Sequence, residues 1–261
     1  MLTTTVSYRL LASDMTRSLA RAAASPVVER ESAYYLANIE KITSIDEFLA
    51  DDRLYAFAMK AFGLSDMTYA KAFMRKALEG GITKSDSFAK QLVDKRYRDF
   101  VDAFNFVEFG KDTTIFERTR QGTVDKYVRQ TLEETAGTEN EGVRLALYFE
   151  RKAAKIDDPY DILADPALLK VAQTALRIPV ESGTQDIDKQ AALIAKRLDV
   201  ADLQDPEKLQ EFLTRFASLW DVDNPPSTVS SPALALIARP TEAGIGPDLL
   251  LSLQNLKLGG I

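Results

Sequence analysis

Residues 44–64 read SIDEFLADDRLYAFAMKAFGL, and residues 158–178 read DPYDILADPALLKVAQTALRI. The two stretches align over 21 residues without a gap. Leu49, Ala50, Asp51, Leu54, Ala58 and Ala61 are identical to Leu163, Ala164, Asp165, Leu168, Ala172 and Ala175. Phe48, Tyr55, Phe57, Phe62 and Leu64 meet Ile162, Leu169, Val171, Leu176 and Ile178, so apolar side chains replace one another at the same phase of a helix. Each stretch holds an Asp that can cap a helix and a stripe of Ala and Leu that lets helices approach closely. The reading is a helical unit used twice.

The likeness continues more weakly after an insertion. Lys71–Leu78 meets Ala191–Leu198, and Phe100 and Phe104 meet Phe212 and Phe216. A fainter repeat runs inside each half. Asp52-x-x-Tyr55 recurs at Asp94-x-x-Tyr97, and Asp165-Pro166-x-x-Leu169 recurs at Asp205-Pro206-x-x-Leu209.

Outward from the repeat, helix signals dominate. Of the ten prolines none falls between Pro26 and Pro159, so that span is free to form consecutive helices. Tyr8, Leu11, Met15, Leu19 and Ala22 fall on one face of an expected N-terminal helix. A second helix starts at Ser25-Pro26 and runs to about Ile42. Ser44/Glu47 and Thr138/Glu141 have capping-box spacing. Phe62-Gly63-Leu64 and Glu79-Gly80-Gly81 read as helix stops, with Gly63 left-handed. Asp158-Pro159, Asp165-Pro166 and Asp205-Pro206 read as helix starts. No alternating strand pattern stands out. Half of the prolines crowd the segment after residue 224, which reads as extended.

The expected fold is all-α, a multi-helical array with an internal two-fold duplication and a Pro-rich C-terminal tail. Its parts are N-terminal helices at 1–43, a first half at 44–110, connecting helices at 111–157, a second half at 158–221 and the tail at 222–261. Fifteen of the 23 aromatic residues lie between Tyr34 and Phe116, which assigns the aromatic core to the first half.

Composition removes several chemistries. The 261 residues contain no His and no Cys. Zinc sites of the His/Cys type, Ser-His-Asp and Cys-His catalysis, and haem or iron–sulfur ligation through these residues are therefore excluded. The formal net charge of −6 argues against a general nucleic-acid binder. No apolar run approaches the roughly 20 residues of a membrane span, and no secretory leader is read at the N-terminus. A cytoplasmic location is the default, with flagellar association or export left open.

The acidic clusters Asp51-Asp52, Asp157-Asp158-Asp161 and Asp199-Asp202-Asp205 would suit a hard cation. They lack an EF-hand loop, and each lies where a helix begins, so capping is the better reading. No spacing selects a glycosidase pair of carboxylates, and no glycine-rich phosphate loop is present. Lys60, Lys71, Lys76, Lys84 and Lys90 read as solvated faces. Arg53, Arg75, Arg96 and Arg98 would line a positive groove if they shared a face, or else pair with nearby aspartates. Trp220 ends the Phe212/Phe216 stripe and reads first as packing, second as a contact for a partner.

The stretch from Ser7 to Gly81 resembles an alphaproteobacterial family of unknown function whose members are often encoded among flagellar genes. The carrying pieces are Ser44–Leu49, Asp52–Tyr55, Lys60–Leu64 and Tyr69–Phe73, followed by Arg96-Tyr97 and Ala103–Phe106. The resemblance implies an all-helical fold and a flagellar setting, and it brings no catalytic residues and no cofactor. The expected function is that of a non-enzymatic interaction protein with no metal or other cofactor. Its partner would be a protein, a flagellar component or a second copy, and not nucleic acid. Tyr8, Leu11, Met15, Arg53, Arg75, Arg96 and Trp220 are the candidate contacts. The alternative is a small-ligand or ion-binding protein, which requires a polar pocket between the two halves.

Overall fold

The structure, a computed structural model, describes residues 2–225. All regular structure among them is helical. The α-helices are α1 (Thr4–Ala12), α2 (Met15–Ala23), α3 (Pro26–Ile39), α4 (Ile45–Ala50), α5 (Asp52–Ala61), α6 (Lys71–Gly80), α7 (Phe88–Gln91), α8 (Lys95–Ala103), α9 (Phe106–Phe109), α10 (Gln121–Glu139), α11 (Glu141–Ala153), α12 (Pro159–Leu163), α13 (Pro166–Leu176), α14 (Ile187–Ala195) and α15 (Pro206–Asp223). Short 3₁₀ turns link several of them. The Pro-rich tail, beyond residue 225, lies outside the described residues.

Two apolar cores lie on either side of the pair α10 and α11. The first is built from α3 to α10. There Phe57 of α5 stacks between Tyr35 of α3 and Tyr127 of α10, with ring centroids 4.4 and 3.9 Å away. Phe48 stacks on Phe104 at 4.7 Å. The second core joins α11 to α15 through aliphatic side chains and Phe149, Phe212 and Phe216. It also takes Tyr8 from α1, so the N-terminal helix belongs to the second half of the molecule.

Helices α10 and α11 reverse direction at Asn140, whose extended backbone separates them and whose carbonyl oxygen Oδ1 accepts from the Gly142 and Val143 amides. Between them lies Glu133, almost fully buried. Arg129 donates to it at 3.0 Å and Arg151 at 2.7 and 2.8 Å. A buried carboxylate is tolerated only with such charged donors.

The local expectations meet mixed outcomes. Asp51, Asp158, Asp165 and Asp205 each accept the first amides of the following helix. Gly63 has φ +72°, and the Leu64 amide reaches back to the Met59 carbonyl at 2.8 Å. At the Ser44 cap, the Glu47 side chain bonds the amide and hydroxyl of Thr43, so only half of the box forms as expected. The expected helix from Tyr8 to Ala22 breaks at Ser13-Asp14, where Asp14 accepts from the Arg17 amide and starts α2. Helix α3 ends at Ile39 rather than Ile42. Thr138 lies inside α10 and caps nothing, because Asn140 supplies the cap at the reversal.

Segments 34–64 and 148–178 share more than sequence. The Tyr34 hydroxyl donates to Asp51 at 3.4 Å, and the Tyr148 hydroxyl donates to Asp165 at 2.6 Å. Gly63 and Arg177 both take the left-handed conformation. The Ile178 amide reaches the Gln173 carbonyl at 2.9 Å, as Leu64 reaches Met59. Every pair keeps the spacing of the gapless alignment. Within the first half the inner repeat slips by one residue, since the caps of α5 and α8 are Asp51 and Asp94 whereas the alignment paired Asp52 with Asp94; within the second half Asp165 and Asp205 cap α13 and α15 at the paired positions.

Candidate functional site

A cavity of about 890 Å³ opens between the first and second halves. One wall is the end of α5, at Phe62 and Gly63, with Asp94 and the start of α8. The other is the last two turns of α11 and the start of α13. Gln130 of α10 contributes from behind. A second cavity of about 380 Å³ adjoins it. The two share Phe62, Arg96, Asp99, Arg151, Lys152 and Lys155, so they form one cleft with a smaller lobe, the inner chamber, that is open to solvent like the rest.

Most of the outer carboxylates are committed. Asp94 caps α8 and takes the Arg96 guanidinium, with contacts at 2.7 to 3.1 Å. Burial opposes ionisation of Asp94, but the hydrogen bonds from Arg96 outweigh it and hold the carboxyl below the usual range. Arg96 also donates to the Gly63 carbonyl, which ties the end of α5 to the start of α8. Asp161 pairs with Lys95 across the cleft and closes the α12 capping box. Asp165 caps α13 and accepts from Tyr148. Burial and the Asp165 charge push the Tyr148 phenol up.

The inner chamber has the opposite balance. Arg96, Arg118, Lys126, Arg151, Lys152 and Lys155 face Asp99 and Asp102. Lys152 makes no hydrogen bond or ion pair among the described residues, and its ammonium lies 5.8 Å from the Tyr148 ring centroid. Loss of water, and then the neighbouring Arg151, lower its pKa. Lys126 is exposed as a residue, yet its pKa is lowered as well, first by desolvation and then by Lys155. Its ammonium meets the Gly122 carbonyl at 3.2 Å. The Nε and one terminal nitrogen of Arg118 are buried without a hydrogen-bond partner among the described residues, and its guanidinium lies over the rings of Phe109 and Phe116.

The four arginines singled out in the sequence do not share a face. Arg96 and Arg98 line the cleft, while Arg53 and Arg75 lie outside its lining. Arg53 pairs with Glu31 at 2.8 Å and covers the Tyr34 ring, and Arg75 pairs with Asp46. Tyr8 is fully buried and accepts from Gln210 at 3.0 Å, so its ring serves the second core. Leu11, Met15 and Trp220 are partly buried against that core. Among the described residues, no group of three or more Asp or Glu is placed to hold a metal ion. Nor is any helix long and apolar enough to cross a membrane.

The inner cations Arg118, Lys126, Arg151, Lys152 and Lys155 escape a sequence reading because three separate segments bring them. The one local signal is Arg151-Lys152-x-x-Lys155, which also reads as ordinary charge complementing the end of a helix.

Residues 61–209 match a family described as "Protein of unknown function (DUF1217)". The chain is similar to a protein from Agrobacterium tumefaciens whose X-ray crystal structure was solved by a structural-genomics consortium. The two share 47% identity with a TM-score of 0.78, over 84% of this chain and 94% of that one. A search of curated proteins finds no match.

Proposed function

Because the chain belongs to the DUF1217 family of proteins of unknown function, we propose that it works by binding rather than by catalysis, with the cleft between its halves as the binding site. One observation carries this reading. The seam between the halves is a charged cavity, where close packing of Leu, Phe and Ala would have left no room for a ligand. The absence of His and Cys and the commitment of Asp94, Asp161 and Asp165 to caps and ion pairs support a non-enzymatic role. Within this reading the protein is a flagellum-associated assembly, structural or regulatory factor, a setting supported by the family resemblance.

The matched caps, left-handed stops and Tyr–Asp bonds support descent of segments 34–64 and 148–178 from one duplicated unit. On this view the cleft is the seam between the copies.

The test is complementation of a gene deletion in the native host. The deletion impairs motility or flagellar assembly, and the wild-type gene restores it. A double charge reversal on the rim, Lys95→Glu with Arg98→Glu, yields a folded protein that does not. Normal motility and flagella in the deletion strain would overturn the flagellar setting. Full complementation by the rim variant would overturn the role of the cleft.

A further inference from the structure

We propose that the inner chamber binds the phosphate group of a small molecule. This rests on the cleft being the binding site and names the chemistry it takes. The chamber is lined by six cationic side chains and two carboxylates, and of the six Arg96 and Arg151 are already held by Asp94 and Glu133. One of the lining carboxylates, Asp99, is already shared by Lys155 at 3.3 Å and Arg98 at 3.7 Å, and Asp102 is exposed. Among the described residues, Lys126, Lys152 and Arg118 have no carboxylate partner within 4.0 Å. They come from different segments, so a ligand between them meets donors from several directions.

A monocarboxylate offers one charge and a planar pair of oxygens. A phosphate monoester offers up to two charges and three oxygens arranged tetrahedrally, which suits this convergence better. The chamber volume of about 380 Å³ holds such a group, and the adjoining outer space leaves room for whatever it is attached to. The floor at Ala61, Phe62 and Ala103 carries no charge to compete.

The lysines supply a signature. Lys152 is faced by Arg151, Lys155, Asp99 and Asp165, and Lys126 by Lys155, Arg151, Asp125 and Asp99. Desolvation and like charges hold both below the usual lysine range. A dianion between them reverses the balance and raises both pKa values. Binding therefore takes up protons near and above the lowered values, and it weakens as pH rises.

The test titrates the full chain at low salt with inorganic phosphate, glycerol 3-phosphate and acetate. Calorimetry in two buffers of different ionisation enthalpy reads the protons, and ³¹P NMR reads the ligand. The expected result is saturable binding of one or both phosphates at about 1 mM or tighter, with proton uptake by the lysines that grows as the pH is raised above neutrality, and no saturable binding of acetate. Tighter binding of the ester assigns the site to a phosphorylated metabolite, and tighter binding of the free ion assigns it to inorganic phosphate. Lys126→Gln with Lys152→Gln weakens binding by about tenfold or more while the protein melts no lower than wild type. Absence of saturable phosphate binding by the wild type, or unchanged affinity in the double variant, would overturn the assignment. A rim variant that fails in complementation while the wild type ignores phosphate would leave the cleft as the binding site and remove only its ligand class.

Discussion

Gly142 is where three helices converge. A Cβ built there would lie 2.4 Å from the Trp220 ring and 2.8 Å from a methyl of Thr4. It begins α11, and the neighbours belong to α15 and α1. Gly142→Ala is therefore expected to cost about 1–3 kcal/mol from overpacking. The chain has a single Trp, so the same variant shifts the Trp220 fluorescence, and urea unfolding followed at that signal reads both effects. Unchanged stability and emission would show that Trp220 is free of this contact. Glu133 makes the opposite case. Glu133→Gln leaves Arg129 and Arg151 without their shared countercharge, and a loss of about 3–5 kcal/mol in chemical denaturation is expected.

At the scale of the element, segments 34–64 and 148–178 rest on their caps. Asp51→Ala and Asp165→Ala each remove acceptors for two first-turn amides, a cost of about 1 kcal/mol. Asp165→Ala also frees the Tyr148 hydroxyl, so the Tyr148 phenol titrates at lower pH than in the wild type, as spectrophotometric titration would record. Asp94 gives a test in acid. Its folded pKa lies below the unfolded value near 3.9, so its contribution is full above that value and is lost as pH falls through the folded pKa. Asp94→Asn should flatten the melting profile below about pH 4. Equal slopes for the two proteins would contradict this. Caps of this kind were legible because Asp-Pro and Phe-Gly-Leu act through neighbouring residues alone. The break at Asp14 was not, because the apolar stripe continues in phase through it. Thr138 met the spacing rule for a cap, but the chain reverses two residues later, and a reversal is set by what α10 and α11 pack against.

For the whole molecule, the cleft is a charge imbalance between two cores. Capping residues such as Asp51 and Asp165 could be read from sequence because they act within their own helices. Arg118, Lys126, Lys152 and Lys155 could not, since their shared chamber exists only once the ends of α5 and α8 are packed against α10 and α11. Burial of Lys152, and after it the repulsion from Arg151, has a measurable sign. Lys152 carries a folded pKa below its unfolded value, so its protonated form opposes folding at neutral pH, and this opposition fades as pH rises from the lowered pKa toward about 10.4. Lys152→Met should raise the melting temperature at pH 7, with the gain shrinking toward pH 10. A gain that does not change with pH would instead point to packing.

The seating of α1 has a consequence for synthesis. The Thr4 amide donates to Asp221 on α15 at 2.9 Å, and Tyr8 is covered by Gln210 and its neighbours in the second core. Helix α1 leaves the ribosome before any of these partners exist. The first core can close while translation continues, but α1 must wait for α15, across a sequence separation of 217 residues. Such a late, non-local closure slows folding. A nascent chain halted before α15 would keep the face around Tyr8 open to chaperones and proteases, and release of α15 would close it.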